Sequence, residues 1–133
     1  MEIKVLKNIL SANDQVAGRN RALLDSRNVT VFNIMSSPGS GKTSLILETI
    51  RALKKQVRVG VIEGDIASTI DAQKVRKEKV PVVQINTGGE CHLEADQIGR
   101  ALESLPLDKI DLLLIENVGN LVCPGEFKLG EHK

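Results

Sequence analysis

The run Ser36-Ser37-Pro38-Gly39-Ser40-Gly41-Lys42-Thr43 constrains this chain more than any other stretch. It follows a short apolar, β-branched run, Val29 to Met35, and precedes a segment of helical periodicity, Thr43 to Leu53. Strand, glycine-rich turn and helix in that order let backbone N–H groups at a helix N-terminus wrap a phosphate. Gly39 and Gly41 allow positive φ and bring the backbone onto an anion with no Cβ in the way. Ser37, Pro38, Gly39, Ser40, Gly41, Lys42, Thr43 and Ser44 are therefore the candidate phosphate cradle. Lys42 serves as the mobile cation for the terminal phosphates, and the Thr43 hydroxyl as a magnesium ligand. Ser36 stands where the general pattern has Gly. The alternative is an ordinary turn rich in Gly and Ser; a Gly-Lys-Thr core set between strand and helix argues against it.

The rest of the chain repeats the alternation. Leu6, Ile9, Leu10, Val16, Ala17, Leu23 and Leu24 mark an amphipathic helix over about Val5 to Asp25, expected to pack as an N-terminal segment (1–28) across a single domain. After the phosphate loop and its helix, Val57 to Glu63 reads as a second strand ending in Gly64-Asp65. Ser68 and Asp71 then resemble a capping box opening a helix through about Lys77. Val82 to Asn86 is a third strand. Ala95, Ile98, Ala101 or Leu102, and Leu105 face one side of a helix that Pro106 ends. Ile110 to Ile115 is the most uniformly apolar run in the chain, as in a parallel strand covered on both faces. The expected class is α/β, a mainly parallel sheet flanked by helices. In such a sheet ligands bind beyond the carboxyl ends of the strands. The phosphate loop, Asp65, the Cys91-His92 loop and Glu116 are all expected on that edge.

Composition removes several functions. At 133 residues the chain suits one domain, and a net charge of +1 with two Phe and no Trp or Tyr offers neither a basic footprint nor stacking platforms for nucleic acid. The clusters Lys54-Lys55 and Lys74 to Lys77 read as solvated helix ends. No run approaches the roughly 20 apolar residues of a membrane span and the N-terminus does not read as a signal peptide, so a cytoplasmic protein is expected. A structural disulfide between Cys91 and Cys123 is not expected in that compartment.

Hydrolysis of a nucleotide requires magnesium ligands, a group that orients water and a sensor of the γ-phosphate. Lys42, Asp65 and Glu116 are the candidate catalytic residues, with Thr43, Asp65 and Glu116 around magnesium and the Gly119 N–H directed to the γ-phosphate. Asp65 suits either a place in the magnesium shell or orientation of the attacking water. For Asp65 the alternative is a turn or cap residue, and for Glu116 a strand-end charge in water. Cys91, His92 and Cys123 offer thiolate and imidazole, donors for nickel, zinc or copper rather than magnesium. Three such ligands leave a tetrahedral site open, to be completed by solvent, by Glu90 or by a second copy across a two-fold axis. The alternative is two thiols packed as small hydrophobes beside a helix-start histidine.

SSPGSGKT, the segment Glu63-Gly64-Asp65, GGECHL at Gly88 to Leu93 and IENVGNLVCP at Ile115 to Pro124 together resemble the nickel-incorporation GTPases of hydrogenase maturation, the HypB family of the SIMIBI class. The resemblance covers nearly the whole chain. It implies a P-loop NTPase fold and a GTP-dependent metallochaperone, with GTP, Mg2+ and Ni2+ or Zn2+ as its ligands. It also implies a nucleotide-dependent homodimer that works with the hydrogenase large subunit and another nickel maturation protein. Cys91, His92 and Cys123 match the family's metal positions, and Asp65 and Glu116 fall in its two nucleotide-sensing segments. Cys123 lies seven residues beyond Glu116, so metal loading is expected to depend on nucleotide state. No N-terminal cysteine motif, histidine-rich tract or guanine-reading Asn-Lys-x-Asp motif is present, and Lys133 follows Cys123 by ten residues. The expectation is a partial G domain without its base-recognition half, with a sheet edge and apolar faces left uncovered. Two other readings remain at this stage: a fragment that binds nucleotide and metal without turnover, and a urease-type nickel accessory GTPase.

Overall fold

Leu113 and Ile115 turn to one side of a sheet and Leu112 and Leu114 to the other, which is why Leu112 to Ile115 carries no polar residue. The computed structural model describes residues 3–35, 41–65, 70–120 and 123–133. Its elements run α1 (Ile3–Ser26), β1 (Thr30–Ile34), α2 (Lys42–Leu53), β2 (Val59–Asp65), α3 (Ile70–Arg76), β3 (Val82–Asn86), α4 (Ala95–Glu103), β4 (Leu112–Glu116) and a short α5 (Cys123–Glu126). The four strands are parallel in the order β1-β4-β2-β3. One core layer joins Leu24, Val31, Ile62, Leu93, Ile98, Leu102 and Ile115 beneath α1 and α4. On the opposite face Ile46, Ile50, Val61, Val75 and Leu114 pack beneath α2 and α3.

Several boundaries differ from those read in the sequence, each for a local reason. Val57 lies outside β2 because its N–H donates to Leu53 O at 2.8 Å and closes the turn after α2. Ile110 likewise precedes β4, its N–H bonded to Leu107 O at 3.2 Å in a 3-10 turn over Leu107–Lys109. Ser68 of the expected capping box falls outside the described residues. The buried stripe of α1 is Asn13, Ala17, Asn20 and Leu24, whereas Ile9 and Leu23, expected on the apolar face, are exposed. The two asparagines earn this place through hydrogen bonds. Asn13 Oδ1 accepts the Ala95 N–H at 2.8 Å, and Asn20 Nδ2 donates to Ala95 O and Leu129 O at 2.8 and 3.0 Å. A buried amide with its donors and acceptors matched is stable where an unmatched one is not. Both therefore fix the start of α4.

The amino edge of the sheet is tied by a side-chain fork. Arg58 Nη2 and Nε donate to Asp111 Oδ1 and Oδ2 at 2.9 and 3.1 Å, and the Arg58 N–H adds a third bond to Oδ2 at 2.9 Å. The guanidinium and then that N–H hold the Asp111 carboxyl down at about 2. Because the folded pKa is depressed, the contribution is complete above the ordinary value of about 4 and disappears as pH falls toward about 2. Asp111→Asn should therefore melt below wild type at neutral pH, and the two melting curves should converge on acidification through that window.

At the other side of the sheet β1 is the outer strand, and the C-terminal residues run beside it. The Asn33 N–H donates to Lys133 O at 2.8 Å, the His132 N–H to Val31 O at 2.9 Å, and the Val31 N–H to His132 Nδ1 at 3.0 Å. The edge expected to be bare is thus partly occupied. The expected apolar exposure is present on neighbouring residues: Phe32 is 39% and Leu45 56% exposed. The turn into this tail depends on Gly130, whose φ is +104° and whose Cβ, were there one, would meet Ala17 O at 2.8 Å. Backbone cannot yield there as a flexible side chain can. Gly130→Ala should cost about 2 kcal/mol or more, measured by denaturant unfolding.

Candidate functional site

Alternation along the strands decides which side chains gather at the carboxyl edge. Val61 and Leu114 pack on the α2 face, so Glu63 and Glu116, two residues further along β2 and β4, lie on that face too. Glu63 and Glu116 are direct register partners, 1% and 6% exposed. Two carboxylates side by side in a dry site repel unless a proton or a cation lies between or beside them. Thr43, in the first turn of α2, donates its hydroxyl to Glu116 Oε1 at 2.8 Å. Glu116 Oε2 is buried with no hydrogen-bond partner among the described residues.

Gly41 precedes α2 in the left-handed region, φ +94° and ψ 22°, the conformation that directs successive N–H groups into the space before a helix. Lys42 opens the helix and Ser44 follows Thr43 at an exposed position. Ser37, Pro38, Gly39 and Ser40 lie outside the described residues. Asp65 ends β2 opposite Asn86 of β3, and its side chain is not described. Gly119 sits in a bend three residues beyond Glu116. Glu63 was not among the candidates read from the sequence. The signal for it was the parity of the Val59-Val61-Glu63 positions, visible only once β2 is known to face α2 at those residues.

A second cluster forms where the loop after β3 meets the segment after β4. Gly88 and Gly89 take φ +65° and +99°, a pair of positive values that turns the chain sharply before Cys91. The ligand atoms of Cys91, His92 and Cys123 lie within 4.8 Å of one another. Cys91 Sγ is 3.7 Å from His92 Nδ1, close to the roughly 3.6 Å edge implied by tetrahedral bonds of about 2.0 Å to nitrogen and 2.3 Å to sulfur. Both cysteines are free thiols. A hydrogen bond with Cys123, then one with His92, pulls the Cys91 pKa down, and the same bond raises that of Cys123. Burial opposes the cationic form of His92, but its bonds to Cys91 and Glu94 outweigh this and raise its pKa. The cluster is thus chemically uneven, with Cys91 the thiol more readily ionised. His92 Nε2 lies 3.2 Å from Glu94 Oε1, and the Phe127 ring stacks on the imidazole at 3.9 Å and 14°. Glu90, His92 and Glu94 form an alternative trio with oxygen donors.

The two clusters share one buried residue. Asn117 follows Glu116 directly and is 1% exposed. Its Oδ1 accepts the Leu93 N–H at 3.1 Å and the Val118 N–H at 2.8 Å, and its Nδ2 donates to Asn33 Oδ1 at 3.1 Å. Leu93 is the residue after His92. One amide therefore joins the end of β4, where Glu116 meets Thr43, to the loop that carries Cys91 and His92.

A family model described as the CobW/HypB/UreG nucleotide-binding domain matches residues 30–131. The chain belongs to this family. Curated relatives carry the name hydrogenase maturation factor HypB: that of Escherichia coli K12 is 48% identical over 100% of this chain and 46% of its own length. The probable HypB of Methanocaldococcus jannaschii is 49% identical over 98% of this chain and 59% of its own. A Helicobacter pylori relative, named a hydrogenase/urease maturation factor, is 44% identical over 97% of this chain and 54% of its own. The chain thus spans about half the length of the curated relatives it matches. Among solved structures, HypB from Archaeoglobus fulgidus superposes with a TM-score of 0.84 at 43% identity, covering 92% of this chain and 60% of that one. HypB from H. pylori in complex with nickel gives 0.83 at 44%, covering 90% and 57%. The fold is that of the P-loop HypB proteins, here as part of their domain, and no described helix is long and apolar enough to cross a membrane.

Proposed function

We propose that this chain is the phosphate- and metal-binding portion of a GTP-hydrolysing nickel metallochaperone that acts in hydrogenase maturation in the cytoplasm. The observation that supports the reading is Asn117, which follows Glu116 directly in the chain and whose side chain accepts the N–H of Leu93, the residue after His92, so that one residue joins the Thr43–Glu116 pair to the Cys91-His92 loop. A nucleotide site and a soft-metal site so joined suit a protein whose cargo binding follows its nucleotide state.

In this reading the cradle Ser37 to Ser44 holds the phosphates of GTP, with Lys42 supplying the mobile charge. Thr43 and Glu116 suit a hydrated magnesium ion, because a buried carboxylate oxygen with no hydrogen-bond partner among the described residues, beside a hydroxyl, is the donor set such an ion satisfies. Magnesium bound there neutralises phosphate charge. Asp65 either completes that shell or orients the attacking water, and Gly119 offers its N–H to the γ-phosphate. Nickel, or zinc in its place, is cargo held by Cys91, His92 and Cys123. Three ligands leave room for solvent, for Glu90 or for a second copy of the chain, which supports a nucleotide-dependent homodimer. The hydrogenase large subunit and another nickel maturation protein are the proposed partners in transfer.

Release of γ-phosphate by the purified chain tests the enzymatic part. Turnover of GTP that vanishes in Lys42→Ala supports it. The alternative reading is that the chain binds nucleotide and metal without turnover. Binding of both with no phosphate release would establish that reading.

A further inference from the structure

The metal ligands do not explain why His92 is held on all sides. Nε2 meets a carboxylate and one ring face is covered by an aromatic, while Nδ1 faces a thiol. A neutral imidazole has one N–H and one lone pair, and a carboxylate accepts only the N–H. The Glu94 contact therefore selects the tautomer with hydrogen on Nε2 and leaves the lone pair on Nδ1, on the side of Cys91.

Glu94 is itself fixed. Its N–H donates to Gln97 Oε1 at 2.8 Å, and the next residue, Ala95, is bonded through its N–H to Asn13 and through its carbonyl to Asn20. The carboxylate thus projects from the anchored start of α4. Phe127 comes from a different direction, four residues after Cys123 on the segment that supplies the second thiol. The segment that brings a ligand also brings the ring that restrains the neighbouring ligand.

We infer that Glu94 and Phe127 are positioning residues that hold His92 as the Nε2–H tautomer with Nδ1 presented to Cys91 and Cys123, so that Nδ1 and not Nε2 meets the metal. The inference rests on the metal-binding reading of the Cys-His-Cys trio. Carboxylate partners of metal-bound histidines typically carry about 10- to 100-fold in affinity. The oxygen trio of Glu90, His92 and Glu94 would need Nε2 as a ligand, and this orientation disfavours it.

The test uses the chain labelled with nitrogen-15, free of metal, at a pH where its imidazoles are neutral. Two-bond proton–nitrogen spectra should show His92 with the Nε2–H pattern in wild type and a mixture of tautomers in Glu94→Ala. Glu94→Gln, which keeps an acceptor oxygen, should restore the wild-type pattern. Nickel titration should show about 10- to 100-fold weaker binding for Glu94→Ala and a smaller loss for Phe127→Leu, with the sulfur-to-nickel absorption band retained in both. Thermal melts confirm that the variants fold. Nickel binding by a wild-type chain whose His92 carries its hydrogen on Nδ1 overturns the positioning alone. Unchanged tautomer and affinity in both Glu94→Ala and Phe127→Leu do the same. A wild-type chain that binds no nickel overturns the metal reading and with it this role for Glu94.

Discussion

Lys42→Ala is expected to reduce nucleotide affinity by roughly 100-fold or more while leaving the fold in place. The left-handed Gly41 and the first turn of α2 form the helix N-terminus that the proposed function assigns to phosphate, with Lys42 as its cation. Backbone N–H groups alone keep a weak, partial site. The side chain is part of neither apolar core layer, so its truncation leaves the hydrophobic packing intact. Titration calorimetry with a non-hydrolysable GTP analogue measures the affinity, and circular dichroism checks the fold. Affinity within a few-fold of wild type would contradict the phosphate-loop assignment.

Asn117→Ala should have the largest effect on stability among substitutions at the carboxyl edge. Removing this amide strands the buried Leu93 and Val118 N–H groups and takes away the donor to the half-buried Asn33 side-chain oxygen. Each unmatched buried group costs about 1–3 kcal/mol, so a loss of about 3 kcal/mol follows after partial relaxation. In a domain of this size that corresponds to a fall in Tm on the order of 10 °C. Asn117→Asp keeps the two accepted bonds but replaces the donor to Asn33 with a second acceptor, and should also destabilise. A melting temperature within about 2 °C of wild type for Asn117→Ala would show that Leu93 is held by something else.

Much of the fold could be read because its signals are short-range. A strand buried on both faces is apolar along its covered length, as at Leu112 to Ile115, and the intervening helices keep their own period. The gathering of Thr43, Glu116 and the Cys91-His92 loop on one edge follows from parallel connectivity alone. What stayed hidden depends on contacts between distant segments. Asn13 and Asn20 look like solvent-facing positions until Ala95, Lys128 and Leu129 are seen to accept and donate across α1. Phe127 carries no sign that it covers His92, because the two are 35 residues apart and meet only when α5 returns to the loop after β3. Glu63 lies inside the Glu63-Gly64-Asp65 segment without any local sign that it faces Glu116, since that pairing depends on the register between β2 and β4. Asn117 stood inside a recognised segment, and only its bond to Leu93 shows what it connects.

On the proposed function, the nucleotide site sets the state of the metal site through the Glu116–Asn117 junction. Nickel affinity of this chain, measured once with GDP and magnesium and once with a non-hydrolysable GTP analogue and magnesium, tests it most directly. A difference of about 5-fold or more between the two states, diminished in Asn117→Ala, is the predicted result. Equal nickel affinity in the two states, with both nucleotides shown to be bound, would contradict it.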